Sequence, residues 1–384
     1  GDWSIASQNN YKRGECMKSQ SKKWIQKAKF AGALTVLASF AVACGSSSDT
    51  ADTTAPVETA APAAETIVKT IAILAPEAGN DFGWNQQGVD SARAAAAELG
   101  IEVIVADSLG YGDITPNLRE LADQADFIIA HASGYNTAAP EVGAEFNKPV
   151  AIVDTPDALK AGLVADYTAS PNEGAYLAGV LAAKTTRSGK LGIVVSGEPP
   201  SWNSQSAGFA DGAKSVKKDI TLLYSIIGPA AYADAEGANR VTKTLIAAGA
   251  DVIFGQGDGA SFGMLSAIEE TPAADGGKVL FIDVIGNKTS IDKGFLLSSV
   301  LWDFKSAFVD MINDINAGTY GSRNYALNLK NGSISLLKTP LITDAVWAEI
   351  EAIKASIIDG SLVVENVTDA AGVRSRMSKT TEGK

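Results

Sequence analysis

Short apolar runs rich in Val and Ile alternate with helical patterns along most of this 384-residue chain. The strand-like runs are "TIAILA" (70–75), "IEVIVA" (101–106), "DFIIAH" (126–131), "PVAIVD" (149–154), "LGIVVS" (191–196), "LLYSII" (222–227), "DVIFGQ" (251–256), "VLFIDV" (279–284) and "LLSSVL" (296–301). Between them the spacing predicts helices over 86–98, 115–123, 137–146, 172–186, 204–218, 234–248, 260–270 and 303–317. A strand that is apolar at successive positions needs cover on both faces, and intervening helices supply it. The pattern therefore predicts an α/β fold with parallel sheets. Nine strands are many for one sheet, so two similar doubly wound halves are expected. Ligands of such sheets sit at the carboxyl ends of the strands, here in a cleft between the two halves. Beyond residue 317, "YALNLKNGSISLLKTP" (325–340) alternates around Asn331-Gly332 and predicts a hairpin. A helix over 343–358 and a strand at "SLVVENV" complete the expected elements.

The N-terminus reads as a leader. From Met17 a basic stretch with Lys18, Lys22, Lys23, Lys27 and Lys29 runs into 14 uncharged residues, "FAGALTVLASFAVA", and then Cys44. A bilayer span needs roughly 20 apolar residues, so this run has the length of a signal-peptide core instead. "AVAC" resembles a bacterial lipobox, which makes Cys44 the expected lipidation site; an ordinary signal peptide cut at an A-x-A pattern is the alternative. Residues 1–16 carry no signal character and read as an upstream remnant. Residues 45–66 are Ser, Thr, Ala, Pro and acid with a single Val. They cannot bury a core and are expected to form a disordered tether to the membrane.

Charge and composition exclude several functions. Residues 1–43 hold seven Lys or Arg and two Asp or Glu, so the rest carries 25 basic and 42 acidic residues, a net of −17. Such a chain repels phosphate backbones, and no nucleic-acid partner is expected. After the leader, Cys44 is the only Cys and His131 the only His. Cys-based and His-rich metal sites are thereby excluded, and neither a metal nor a cofactor is expected. A Ser-His-Asp arrangement would depend on His131 alone, so an enzyme is not expected. No phosphate loop of the G-x-x-x-x-G-K-[ST] type occurs. "GQGDGA" (255–260) matches a dinucleotide fingerprint literally. However, it follows the seventh strand rather than opening a domain, and its glycines suit close backbone approach to a ligand.

The turns after the strands hold an unusual set of side chains. Asp81, Phe82 and Trp84 follow the first; His131, Gly134 and Tyr135 the third; Tyr167 and Thr168 come past the fourth. Trp202 and Asn203 follow the fifth, Tyr232 the sixth, Asp258 the seventh and Asp283 the eighth, and Trp302 ends the ninth. Aromatics among amides and carboxylates at strand ends make a stacking pocket with hydrogen-bond partners. A Trp at the mouth of a helix, as in "GNDFGWNQQGVDSA" (79–92), either plugs the loop from beneath or offers its face to a ligand.

"EGAYLAGVLAAKTTRSGKLGIV" (173–194), "GWNQ" (83–86), "GFADGAKSV" (208–216) and "LIAAGADVIF" (245–254) closely resemble the basic membrane protein family, the substrate-binding lipoproteins of ABC transporters. The resemblance covers nearly all of 68–330. It implies a type I periplasmic-binding fold of two lobes joined by crossing strands. The expected division is a leader over 17–43, a tether over 44–67, a first lobe over 68–169 with about 303–325, a second over 170–302 with about 326–365, and a tail over 366–384. The family's nucleoside binders sandwich the base between two aromatics, and Trp84 and Tyr232 match those positions; Thr168 aligns partially with an amide that reads the base. Asn85, Gly134, Tyr135, Trp202, Asp258, Asp283 and Trp302 complete the expected ligand-binding set. Ribose-binding relatives carry an acidic residue and a Lys where this chain has Ile285 and Trp302, which implies a preference for bases over nucleosides.

The expected function is a monomeric, lipid-anchored capture protein on the extracytoplasmic face. It would deliver a purine-like small molecule to an ABC permease. A sensor on the same fold and a sugar-binding protein are the alternatives. With the aromatics lining an open cleft, replacing Trp84 is expected to leave the ligand-free stability almost unchanged.

Overall fold

Hydrogen bonding sorts the apolar runs into two sheets. The computed structural model describes residues 67–382; the leader, Cys44 and the tether up to residue 66 lie outside them. The first sheet takes β1 (Thr70–Leu74), β2 (Glu102–Ala106), β3 (Phe127–Ala130), β4 (Val150–Val153) and β5 (Val164–Ala169). The second takes β6 (Lys190–Val195), β7 (Thr221–Ile226), β8 (Val252–Gln256), β9 (Leu280–Ile285) and β10 (Leu296–Trp302). Three short strands follow, β11 (Tyr325–Leu327), β12 (Ile334–Leu336) and β13 (Lys379–Glu382). The sheet orders are β11-β5-β4-β3-β1-β2 and β12-β10-β9-β8-β6-β7-β13. All pairings are parallel except that of β10 with β12.

Each sheet is buried on both faces, as the continuous apolar runs require. Along β1, Ile71 and Ile73 enter one core while Ala72 and Leu74 enter another. Along β8, Val252 and Phe254 face one core and Ile253 the opposite one. This is the period-two alternation of a strand with apolar residues at every position.

Ten α-helices connect the strands of the described residues: α1 (Trp84–Leu99), α2 (Thr115–Gln124), α3 (Ala138–Phe146), α4 (Pro171–Thr185), α5 (Pro200–Val216), α6 (Ala235–Ala247), α7 (Ser261–Glu270), α8 (Lys305–Ala317), α9 (Asp344–Ile358) and α10 (Ala370–Arg374). Their ends follow local chemistry. Pro171 and Pro200 occupy first turns, where a missing N–H costs nothing. Gly100 and Gly318 close α1 and α8 in the left-handed region.

The two halves share one plan. Five strands run β2-β1-β3-β4-β5 in one and β7-β6-β8-β9-β10 in the other. The order reverses between β1 and β3 and again between β6 and β8, and these reversal points are where doubly wound sheets open a crevice.

Three expectations need correction. The hairpin around Asn331-Gly332 does not form. The turn is there, with Asn331 Oδ1 accepting from Ser333 N at 3.0 Å and Gly332 in the left-handed region. Its flanking strands part company: β11 pairs with β5 of the first sheet and β12 with β10 of the second. β5 is a full strand where only loop residues were expected. "SLVVENV" is not a strand; Val363 is 81% exposed. The tail expected over 366–384 carries a strand, β13, which extends the second sheet beyond β7.

Candidate functional site

The sequence "GNDFGW" between β1 and α1 is organised by Asp81. Its carboxylate accepts from the main-chain N–H groups of Gly83 at 3.0 Å, Asn85 at 3.2 Å and Gln86 at 2.9 Å, capping α1, and from Asn85 Nδ2 at 2.8 Å. Phe82 bends through the left-handed region, with φ +49°, and meets Phe262 edge-on with ring centroids 5.9 Å apart. Gly83 then lies against Asp258, and Trp84 N donates to Asp258 Oδ1 at 2.9 Å. A Cβ on Gly83 would sit 2.5 Å from that oxygen, and one on Gly286 would collide with the Phe82 carbonyl oxygen. The loop of the first lobe is thus docked on the loops after β8 and β9 of the second, at positions where only glycine leaves room. Phe82, Asp154, Asp258 and Ile285 all have positive φ and all lie at strand ends of the cleft. Backbone strain of this kind concentrates at functional sites.

The docked loops enclose a cavity of about 590 Å³, counting the part open to solvent. It draws Pro76 and Trp84 from the loop after β1, Tyr111 from that after β2, Ser133 from that after β3 and Asp154 from that after β4. The second lobe contributes Pro199, Ser201 and Trp202 after β6, Tyr232 after β7 and Asp258 after β8. The cavity therefore sits over both reversal points at once. Trp202 and Tyr232 meet edge-on at 5.2 Å, and Tyr111 lies tilted at 6.4 Å from Tyr232. Among the described residues, none that lines the cavity carries a positive charge. Two carboxyl groups line it, Asp154 from the first lobe and Asp258 from the second. Oδ1 of Asp258 serves Trp84; among the described residues no hydrogen bond reaches its Oδ2 or the Asp154 carboxyl.

Burial, reinforced by Asp81 and Glu77, pushes the Asp258 carboxyl well above the usual carboxylate range, against the Trp84 N–H and Lys288. Desolvation, then Asp166, lifts Asp154 to about 6, although its side chain is exposed at the cavity. Both carboxyls are short of compensating partners, which a ligand bearing hydrogen-bond donors would provide.

Trp84 plugs the loop from beneath and also lines the cavity. One face stacks on His131, with centroids 4.0 Å apart at 7°, and its edges pack against Trp302 and Phe304. Its Nε1 donates to the His131 carbonyl at 2.9 Å. His131 is fully buried, and desolvation holds its pKa down to about 3, so the ring is neutral. Nε2 lies 2.8 Å from the Trp84 carbonyl, an acceptor only, so it carries the hydrogen, and Nδ1 accepts from Tyr167 Oη at 2.6 Å. Trp84 thus lines the cavity while being anchored from beneath. The expectation that its removal would spare the ligand-free protein does not survive this packing.

Of the expected ligand-binding residues, Trp84, Asn85, Trp202, Tyr232 and Asp258 line the cavity. The others do not. Tyr135 is buried in the core of the first lobe, its hydroxyl donating to the Gly110 carbonyl at 2.6 Å. Gly134 lies exposed in the short 3₁₀ turn after β3. Thr168 donates to Asp166 at 2.6 Å. Asp283 forms a buried ion pair with Lys288. Trp302 is buried beneath Trp84 and donates to Gln205 Oε1 at 3.2 Å. Ile285 is fully buried too. Ile285 and Trp302 therefore do not line the cavity, and their lack of charge says nothing about a sugar there. Ser133, at the end of the third strand, was left out of the expected set, and Tyr111 and Asp154 were missed; Asp154 ends the run "PVAIVD" and was open to the strand-end argument. Among the described residues, no group of three or more His, Cys, Asp or Glu is placed to hold a metal, and no helix is long and apolar enough to cross a membrane.

Known proteins resemble this chain along most of its length. A nucleoside-binding protein of an ABC transporter from Lactococcus lactis subsp. cremoris is 27% identical over 307 residues, covering 74% of this chain and 85% of that protein. A purine-binding protein from Brucella abortus is 27% identical over 285 residues, covering 72% and 69%. Basic membrane protein A1 from Borrelia garinii subsp. bavariensis is 24% identical over 310 residues, covering 78% and 89%. In fold, an ABC transporter solute-binding protein from Aeropyrum pernix K1 superposes with a TM-score of 0.67 at 19% identity, covering 80% of this chain and 95% of that one. Residues 68–367 match the family model described as ABC transporter substrate-binding protein, PnrA-like, and the chain belongs to that family, Bmp.

Proposed function

We propose that this substrate-binding protein captures a purine nucleoside or base by closing its two lobes on it, and hands it to an ABC permease. The family consists of binding proteins, not enzymes. The observation that carries the ligand reading is the cavity itself: aromatic walls from both lobes, with one carboxyl from each lobe short of partners. Flat bases suit such walls, and each base–aromatic stack contributes on the order of 1–3 kcal/mol. Carboxyls accept from ring N–H, amino and ribose hydroxyl groups alike. With Asp154 and Asp258 both available, adenosine should bind at least as tightly as adenine. The nucleoside-binding and purine-binding relatives support the same ligand class. Calorimetry with adenosine, adenine and ribose tests it. Saturable binding of the first two and none of ribose is expected. Binding of ribose or another sugar without purines would replace this reading with the sugar one.

The same reading includes lipidation at Cys44 and attachment to the extracytoplasmic face of the membrane, supported by the leader pattern and "AVAC". Stable attachment requires more than one acyl chain, which a lipidated N-terminal Cys provides.

A further inference from the structure

The family match ends at residue 367, yet the chain beyond it is folded onto the ligand cavity's supports. Asp369 caps α10 by accepting from Gly372 N at 2.7 Å, and β13 then pairs with β7. From the end of α10, Arg374 grips Glu198 with both guanidinium nitrogens, Nη1 to Oε1 at 2.8 Å and Nη2 to Oε2 at 3.2 Å. Tyr224 Oη donates to the same Oε1 at 3.1 Å. Asn203 Nδ2 ties the loop again, donating to the carbonyls of Glu198 at 3.2 Å and Thr368 at 3.0 Å. Glu198 immediately precedes Pro199, Pro200, Ser201 and Trp202, and three of these four line the cavity.

We infer that Arg374 is a positioning residue: through Glu198 it holds the Trp202 wall of the ligand cavity where the ligand needs it. Three features support this. A paired guanidinium–carboxylate contact fixes direction as well as distance, and here it is largely shielded, with side-chain exposures of 32% and 24%. Two consecutive prolines have fixed φ, so a displacement of Glu198 is passed on to Ser201 and Trp202 rather than absorbed. The loop's own polar side chains also tie it down incompletely. Among the described residues, five buried side-chain polar atoms lack a partner, and three of them, Ser196 Oγ, Asn203 Oδ1 and Ser204 Oγ, flank this loop. Arg374 therefore adds to the ties that Tyr224 and Asn203 make to this loop.

The inference rests on the cavity being the ligand site, so the test pairs a ligand-free readout with a ligand-bound one. Three full-length variants are compared with the parent chain: Arg374→Gln, Arg374→Lys and Arg376→Gln. Arg376 anchors the same segment to Asp211 on α5, at 2.9 Å, without touching Glu198. Hydrogen exchange of the peptide spanning 196–204 is measured without ligand, and adenosine affinity by calorimetry. Arg374→Gln should speed exchange there and weaken adenosine binding by roughly 5-fold or more, because preorganisation of the wall is lost. Arg374→Lys should recover part of both. Arg376→Gln should lower the melting temperature while leaving exchange at 196–204 and affinity within about 2-fold of the parent. Unchanged exchange at 196–204 in Arg374→Gln overturns the inference. So does faster exchange with unaltered affinity, or an affinity loss in Arg376→Gln as large as in Arg374→Gln. If the parent chain binds no adenosine, the purine reading fails, and the exchange comparison still decides whether Arg374 holds the loop. If Arg374→Gln does not fold, Arg374→Lys against Arg376→Gln decides in its place.

Discussion

The main-chain N–H of Trp84 donates to Oδ1 of Asp258 at 2.9 Å, joining the two lobes across 174 residues of sequence. Both residues line the cavity, so the contact between the lobes is also part of the cavity wall. A ligand that satisfies the remaining oxygen of Asp258 stabilises the same loop that Trp84 engages. On the proposed function, binding would in this way shift a population of lobe arrangements toward the closed one.

Trp84 and Tyr232 should separate stability from affinity. Trp84→Ala removes the packing against His131, Trp302 and Phe304 and should cost about 3 kcal/mol in the ligand-free protein, besides weakening adenosine binding. Tyr232 is half-buried; its aromatic neighbours are Trp202, edge-on, and Tyr111, tilted, and its ring lies against Gly197, which has no side chain to lose contact with. Tyr232→Ala should weaken adenosine roughly 10-fold or more while the ligand-free melting temperature moves little. Thermal denaturation and calorimetry on both variants check the contrast; equal stability losses would contradict it.

Gly286→Ala should hold the lobes apart. Gly286 lies outside the left-handed region, so alanine brings no backbone strain of its own, but its Cβ meets the Phe82 carbonyl oxygen in the docked arrangement. The ligand-free protein should melt as the parent does, while adenosine affinity falls about 10-fold or more because the closed state is disfavoured. Small-angle scattering with adenosine present should give a larger radius of gyration than the parent; an equal radius would show that the loop accommodates the methyl group.

Asp154 should make stability depend on pH. A carboxyl lifted to about 6 in the folded state, from about 4 when unfolded, favours folding below pH 4 and opposes it as pH rises through 6. Asp154→Asn removes that opposition. The variant's denaturation midpoint should therefore gain on the parent's between about pH 4 and pH 7 and change no further above it. A constant difference across that range would assign the titration elsewhere.

Cys44→Ser should release the protein from membranes into the soluble fraction. The leader and "AVAC" motivate this, and fractionation of cells carrying each form measures it. Retention of the variant on membranes would remove the lipid anchor from the proposed function.

The fold was readable where burial dominates composition. β1, β3, β4, β8 and β9 are apolar almost throughout, and nothing but two-sided cover explains such runs. β5, "VADYTA", was lost because Asp166 and Thr168 break the apolar run, although the two side chains hydrogen-bond to each other. β13, "KTTE", is a polar edge strand whose place depends on β7 rather than on its own residues. Asn331-Gly332 correctly marked a turn, but a turn signal is local and cannot say that the two strands join different sheets. The site was half readable for a similar reason. Strand ends located Trp84, Trp202, Tyr232 and Asp258, whereas the direction each side chain takes follows from packing. Trp302 ends a strand as Trp84 follows one, yet it is 1% exposed and lies beneath the cavity.

The pairing of β11 with β5 has a consequence for how this chain is made. Tyr325 completes the first sheet beside Tyr167, and α8 packs against α1, so the first lobe lacks its edge strand and a covering helix until residue 327 has been synthesised. By then every strand from β6 to β10 has already been synthesised. Neither lobe can mature alone while the ribosome is working, and pairings so distant in sequence form slowly. The export leader proposed for this chain would then act on a polypeptide whose first lobe is still unfinished.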